Sequence, residues 1–146
     1  MQTFVPEDTF EDSVRVLDRQ RLGKQRVETL QIMRALAGLS KGWTNHPATR
    51  MWRGYEFSLL AYQDATVREW KRRGYNDTCW GKTLEVYSEH FGDRDDVSLP
   101  HWWGDNRVHE SHKKALVFKD PVWYNTIYPN VVGVYDYYWP VPKENA

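Results

Sequence analysis

Between residues 8 and 37 the chain has no proline and one glycine, Gly23, and Gly38 stands where a helix of that length would end. So long a stretch without breakers reads as a helix and commits the chain to a helical framework. The same reading extends downstream. After the breaker-rich loop SKGWTNHP, Thr44 or Asn45 can cap a second helix that carries Pro47 in its first turn, runs to Arg73 and closes at Gly74. Its Ala48, Met51, Trp52, Tyr55, Leu59, Tyr62, Val67 and Trp70 keep the spacing of a core-facing stripe. A shorter helical stretch over 81–91, the acidic loop GDRDDVSLP and a helix over 107–119 capped by Asp105 or Asn106 follow. From Trp123 to Trp139 the pattern is irregular and aromatic, and VVGVYDYY has some strand character. At 146 residues the chain can bury one core but not two. The expectation is an all-α, compact single domain over 1–146, with three main helices and an aromatic-rich C-terminal wrap.

The first helix carries an anomaly. At 100° per residue, Phe10, Val14, Leu17, Arg21, Glu28, Ile32 and Ala35 fall within about 40° of one line, flanked by Lys24 and Gln25. The stripe is apolar at both ends and charged in the middle. Burying a lone carboxylate costs several kcal/mol. The cluster therefore either neutralises itself, Glu28 pairing with Lys24 and Arg21, or forms a polar site against the core.

Positive charge gathers around it. Arg15, Arg19, Arg21, Lys24 and Arg26 lie within twelve residues that hold one acid, Asp18. Lys71, Arg72 and Arg73 end the second helix, where the helix dipole alone favours cations. With Trp43, His46 and Arg50 nearby, the composition suits phosphate contacts and base stacking. The net charge of zero does not oppose this, because residues 1–75 hold 13 Lys/Arg and 9 Asp/Glu, while the rest of the chain is acidic by the same margin. Aromatics are abundant, with 8 Trp, 9 Tyr and 5 Phe in a chain of mean hydropathy −0.78, which implies an aromatic core, a stacking surface, or both.

A later cluster, Arg107, His109, His112, Lys113 and Lys114, contains two histidines at i, i+3. That spacing can chelate a metal, but no third ligand is evident in the segment, and a hydrogen-bonded structural pair is the alternative. The lone Cys79 excludes an intramolecular disulfide and the Cys-rich zinc frameworks. No apolar run reaches 18 residues and the first ten residues lack a signal-peptide core, so a soluble, cytoplasmic protein is expected.

The blocks DRQRLGKQRVETLQ (18–31), RMWRGYEFSLLAYQDATVREWKRRGYNDT (50–78), HESHKKAL (109–116) and DPVWY (120–124) together resemble the pyrimidine-dimer DNA glycosylase family, the phage endonuclease V-like enzymes. The order and spacing of the blocks carry the resemblance, from about residue 10 to residue 124. It implies a compact, all-α, metal-independent glycosylase and abasic-site lyase. In such enzymes an amine attacks C1′ of the damaged nucleotide, a Schiff base forms as the base departs, and a carboxylate assists ring opening and β-elimination.

By the block alignment that carboxylate is Glu28. The family's amine is the chain's own N-terminus, and an α-amino group of ordinary pKa, about 7.7–8.0, has a useful neutral fraction near neutral pH where an ordinary lysine does not. Two positions depart from the pattern. Gln2 stands where a small residue normally permits removal of the initiator Met, so Met1 itself or Lys24 would supply the amine; Val27 stands where the family has an Arg. The resemblance implies double-stranded DNA with a damaged or modified base as partner and a monomer without cofactor. Arg15, Arg19, Arg21, Arg26, Arg50, Lys71, Arg72 and Lys113 become candidate phosphate contacts, and His46, His109, His112, Trp123 and Tyr124 candidate pocket or duplex contacts. Two other readings stay open: an enzyme acting on nucleic-acid bases without lyase chemistry, and a non-catalytic DNA- or protein-binding domain in which Glu28 is an internal counter-ion.

Overall fold

Two of the expected helices are broken. A computed structural model describes residues 1–92 and 98–141, and in it the first long helix divides into α1 (Phe10–Arg15) and α2 (Arg19–Leu36). The cause is Asp18: its backbone is extended, and its carboxylate accepts from the Arg21 N–H at 3.4 Å, so the residue caps a new helix instead of continuing the old one. The second helix divides into α3 (Pro47–Arg50) and α4 (Glu56–Arg72), with Gly54 at φ +87° in the link. His46, not Thr44 or Asn45, caps α3; its Nδ1 accepts from the Ala48 N–H at 3.0 Å.

The remaining helices are α5 (Cys79–Phe91), α6 (Asn106–Lys119, capped by Asp105) and α7 (Pro121–Tyr124). The chain is all-α: no strand forms among the described residues, and the expected strand character of VVGVYDYY is absent. Most of the acidic loop after α5 lies outside the described residues. Among the described residues α2, α4, α5 and α6 build the framework, the stretch expected over 81–91 being nearly as long as α6, and no described helix is long and apolar enough to cross a membrane.

α2 packs on α4 and α5, and α1 on α4. Gly23 makes the α2–α4 approach possible, since a Cβ there would sit 3.0 Å from the Trp70 ring. The core is largely aromatic. Trp52, Trp102, Tyr62 and Tyr124 are fully buried, with Trp52 and Trp102 edge to face at 5.2 Å.

The polar atoms of these rings reveal what the core encloses. The Trp52 Nε1–H donates to Thr3 Oγ1 at 2.9 Å, and the Tyr62 hydroxyl donates to the Phe4 carbonyl at 2.8 Å. Residues 2–6 thus run as an extended, buried thread through the helices. Having no neighbouring strand, the thread satisfies its backbone with side chains. Gln25 grips it twice: its Nε2 donates to the Gln2 carbonyl at 2.6 Å and its Oε1 accepts from the Phe4 N–H at 2.9 Å. α6 holds the next residue, with His112 Nδ1 accepting from the Val5 N–H at 3.0 Å and His109 Nδ1 bonded to the Val5 carbonyl at 2.6 Å.

These bonds revise the reading of the α6 histidines. His109 Nε2 also accepts from the Gly104 N–H at 3.1 Å, which assigns its proton to Nδ1 as a donor to Val5. The i, i+3 pair is a clip on one peptide. Both rings are buried, so neither His109 nor His112 stands at a DNA-facing surface.

Tyr124 needs the same correction. It is buried, with its hydroxyl donating to Asp18 Oδ1 at 2.5 Å and accepting from the Asp18 N–H at 3.0 Å, and so bolts α7 to the start of α2. Tyr124→Phe removes both bonds and leaves a buried carboxylate and amide short of partners. Urea denaturation should show a loss of about 2 kcal/mol; an unchanged midpoint would remove the bolt from the account.

After α7 the chain returns across α6. The Val134 N–H donates to the Lys114 carbonyl at 3.0 Å, and Gly133 lies so close that a Cβ would be 2.7 Å from the Phe118 nitrogen. This crossing directs Tyr135 and Tyr137 toward the thread, where the Tyr137 ring meets Phe4 at 6.2 Å and His112 at 5.8 Å.

Candidate active site

The anomalous α2 stripe lies beside the start of the thread. Glu28 Oε2 accepts from the Gln2 N–H at 3.1 Å, and no ion pair holds this carboxylate among the described residues. The internal neutralisation that the sequence allowed does not form, because Arg21 turns to Asp18 at 3.3 Å. Glu28, Met1 and Lys24 instead line one cavity of about 160 Å³ with Arg21 and Gln25. Three of the sequence candidates, Glu28, Met1 and Lys24, therefore meet in one place.

The cavity is completed by residues that sequence reasoning did not select: Gln20 of α2, Phe4 of the thread, Lys119 at the end of α6, and Tyr135 and Tyr137. The alternation in Tyr135-Asp136-Tyr137 was an available signal, since residues two apart in an extended segment share a side. Nothing local marks Phe4 or Lys119, which arrive through tertiary packing.

The electrostatics connect the same groups. Burial pushes the Lys119 ammonium below its ordinary value, helped by repulsion from Arg21 and Lys24 and opposed by Glu28. Half-buried His46 is also lowered, first by burial and then by the positive amine of residue 1, again with Glu28 opposing. Its ring lies edge-on to Trp43 at 5.4 Å and to Trp139 at 5.8 Å. Burial, reinforced by Tyr135 and Glu28 against the pull of Arg21, raises the Tyr137 hydroxyl well above its ordinary value, so it remains a protonated donor.

Other candidate contacts fall into two groups. Arg15, Arg19, Lys71 and Arg72 are exposed. The Arg73 guanidinium donates to the Arg15 carbonyl at 3.0 Å, bringing the end of α4 against the end of α1. Trp123, 43% exposed, donates from Nε1 to the Val16 carbonyl at 2.9 Å beside them. These form a cationic surface around the α1–α2 break. The Arg15–Asp12 pair at 3.5 Å is solvated on both sides and can exchange for phosphate at small cost, whereas Arg72 is held at 2.6 Å by Glu69, a buried carboxylate that it shares with Arg73.

Arg26 belongs elsewhere. It pairs with Asp77 at 2.6 Å and its guanidinium lies 4.4 Å from the Trp70 ring centroid, so it pins α2 to α4 and the start of α5 rather than contacting DNA or surrounding Glu28. Lys113 is paired with Glu110 at 3.2 Å and lies over Tyr128. Arg50 ends α3, after the His46 cap. Among the described residues no group of three or more His, Cys, Asp or Glu is placed to hold a metal ion.

A carboxylate, an amine and neighbouring cations at one cavity can carry out nucleophilic attack with proton transfer on an anionic substrate. Comparison with known proteins supplies a class. Residues 1–81 match a family model described as pyrimidine dimer DNA glycosylase. No curated protein and no solved structure matches the chain.

Proposed function

The chain belongs to the pyrimidine dimer DNA glycosylase family, and from that premise we propose that it releases a damaged or modified pyrimidine from DNA by amine attack at C1′, with Glu28 handling the protons and an abasic-site lyase step following. The observation that carries this reading is the 3.1 Å bond from the Gln2 N–H to Glu28 Oε2. The nitrogen of residue 1 is three bonds from that amide, and Met1 and Glu28 both line the cavity, which supports pairing this amine with this carboxylate.

In the proposed reaction the amine lone pair forms a bond to C1′ while the C1′–N glycosidic bond breaks; the base leaves with the bonding electrons and takes a proton from solvent, and the Glu28 carboxylate takes one of the two protons on the attacking nitrogen. Glu28 then passes that proton to the ring oxygen as C1′–O4′ opens, and the nitrogen lone pair forms the protonated imine. The same carboxylate then accepts a proton from C2′, and the 3′ phosphate departs by β-elimination. Arg21, Lys24 and Lys119 would stabilise the flanking phosphates, and the surface of Arg15, Arg19, Lys71 and Trp123 would hold the duplex.

Borohydride reduction on dimer-containing or abasic-site duplex tests this directly. The expected product is a covalent protein–DNA adduct, after intact mass has established whether the chain begins at Met1. Extension by one residue moves the amine by about 3.5 Å and should abolish the adduct. An adduct that survives the extension would assign the amine to Lys24 or Lys119. Base release without any adduct would leave a glycosylase that uses water at C1′.

A further inference from the structure

An amine at a chain end is ordinarily among the least ordered groups of a protein, because termini fray unless something ties them down. Here the tie comes from the helix that carries the carboxylate. α2 holds residue 2 at both ends of its backbone: Glu28 Oε2 accepts from the N–H at 3.1 Å, and Gln25 Nε2 donates to the carbonyl at 2.6 Å. The two side chains are three residues apart and so share a face of α2. The Gln25 Oε1 accepts from the Phe4 N–H at 2.9 Å.

Gln25 is 1% exposed, and it spends both halves of its amide on backbone groups two residues apart. Two fixed points on an extended segment set its direction as well as its position. The peptide that joins residues 1 and 2 is planar, so a single soft torsion, ψ of Met1, separates this clamp from the residue 1 nitrogen. The Met1 side chain rests against the core.

We infer that Gln25 is a positioning residue for the reaction: its hold on residues 2 and 4 aims the residue 1 amine, beside Glu28, at C1′. The inference rests on the amine-attack reading above. It divides the labour along α2, where Arg21 and Lys24 draw in the phosphates and Gln25 sets the angle of attack. Misplacing a reacting atom by an ångström costs on the order of 10² in rate. Affinity for DNA depends on the cations instead.

Gln25→Met keeps the length of the side chain and removes both bonds. Gln63→Met is the matched control. Gln63 is also buried and also loses two bonds, to the Arg26 carbonyl at 2.8 Å and to Thr83 Oγ1 at 3.0 Å, but it lies outside the cavity lining.

Three quantities are measured on each protein: the single-turnover rate of borohydride trapping on abasic-site duplex, affinity for a duplex carrying a tetrahydrofuran abasic analogue, and the urea midpoint. Gln25→Met should trap about 100-fold more slowly, with affinity for the analogue changed by less than about twofold. Gln63→Met should lose comparable stability and trap within about threefold of wild type. Trapping by Gln25→Met at the wild-type rate, or an equal slowing in Gln63→Met, would overturn the inference and leave the amine reading intact. A wild-type protein that forms no adduct sinks the amine reading and this inference with it. Should Gln25→Met not fold, Gln25→Asn, whose amide stops a methylene short of both partners, carries the same comparison.

Discussion

Glu28→Gln should lower base release from dimer-containing duplex by a factor of about 10² to 10⁴, the range that a positioned general acid or base contributes. The substitution separates chemistry from structure. A Gln carbonyl can still accept from the Gln2 N–H as Glu28 Oε2 does at 3.1 Å, so the thread keeps its anchor and the denaturation midpoint should stay close to wild type. What disappears is the capacity to give and take a proton beside C1′. Retained base release with lowered stability would make Glu28 a counter-ion and remove the catalytic assignment. Loss of borohydride adduct alongside retained base release would confine Glu28 to the lyase step.

Acid should destabilise the fold through one buried ring. His112 is fully buried and its Nδ1 accepts from the Val5 N–H, so protonation there requires breaking that bond in a desolvated site. Burial, with His109 adding repulsion, lowers its pKa from 6.5 to about 3. Above about pH 6.5 the ring is neutral in both states and its contribution is fully present. Between about 6.5 and 3 the unfolded chain binds a proton that the fold refuses. Stability then declines by about 1.4 kcal/mol per pH unit, on the order of 5 kcal/mol in all.

Urea melts at pH 7 and pH 4.5 give the test. The expectation is a drop in wild type that is smaller by about 3 kcal/mol in His112→Asn, whose amide oxygen can accept from Val5 without titrating. Equal drops in the two proteins would remove His112 as the origin. Because Val5 belongs to the thread that leads to Met1, base release should fall over the same pH interval.

The helices were legible because breakers and apolar spacing are local. Gly38 and Gly74 end the helices they were expected to end, both at positive φ. The break at Asp18 was not legible, since Asp18 lies within a breaker-free stretch by sequence, and the Tyr124 hydroxyl that bonds its carboxylate and amide comes from 106 residues away. Glu28 was legible as an anomaly because a charge within an apolar stripe violates a periodic pattern. His109 and His112 misled for a related reason. A polar pair on an inward face announces that something polar is bound there, and periodicity could not indicate that the partner was the Val5 peptide.

The sequence by itself determined an all-α framework, a cationic first half and the position along α2 where a carboxylate interrupts the core-facing stripe, because each depends on neighbours within a turn or two. The tertiary structure alone decided which groups share the cavity. An extended thread has no strand to pair with and must satisfy its backbone on distant side chains, and Gln25, Tyr62, His109 and His112 fix its course. That course brings residue 1 to Glu28, and the close crossing at Gly133 brings Tyr137 to the same cavity.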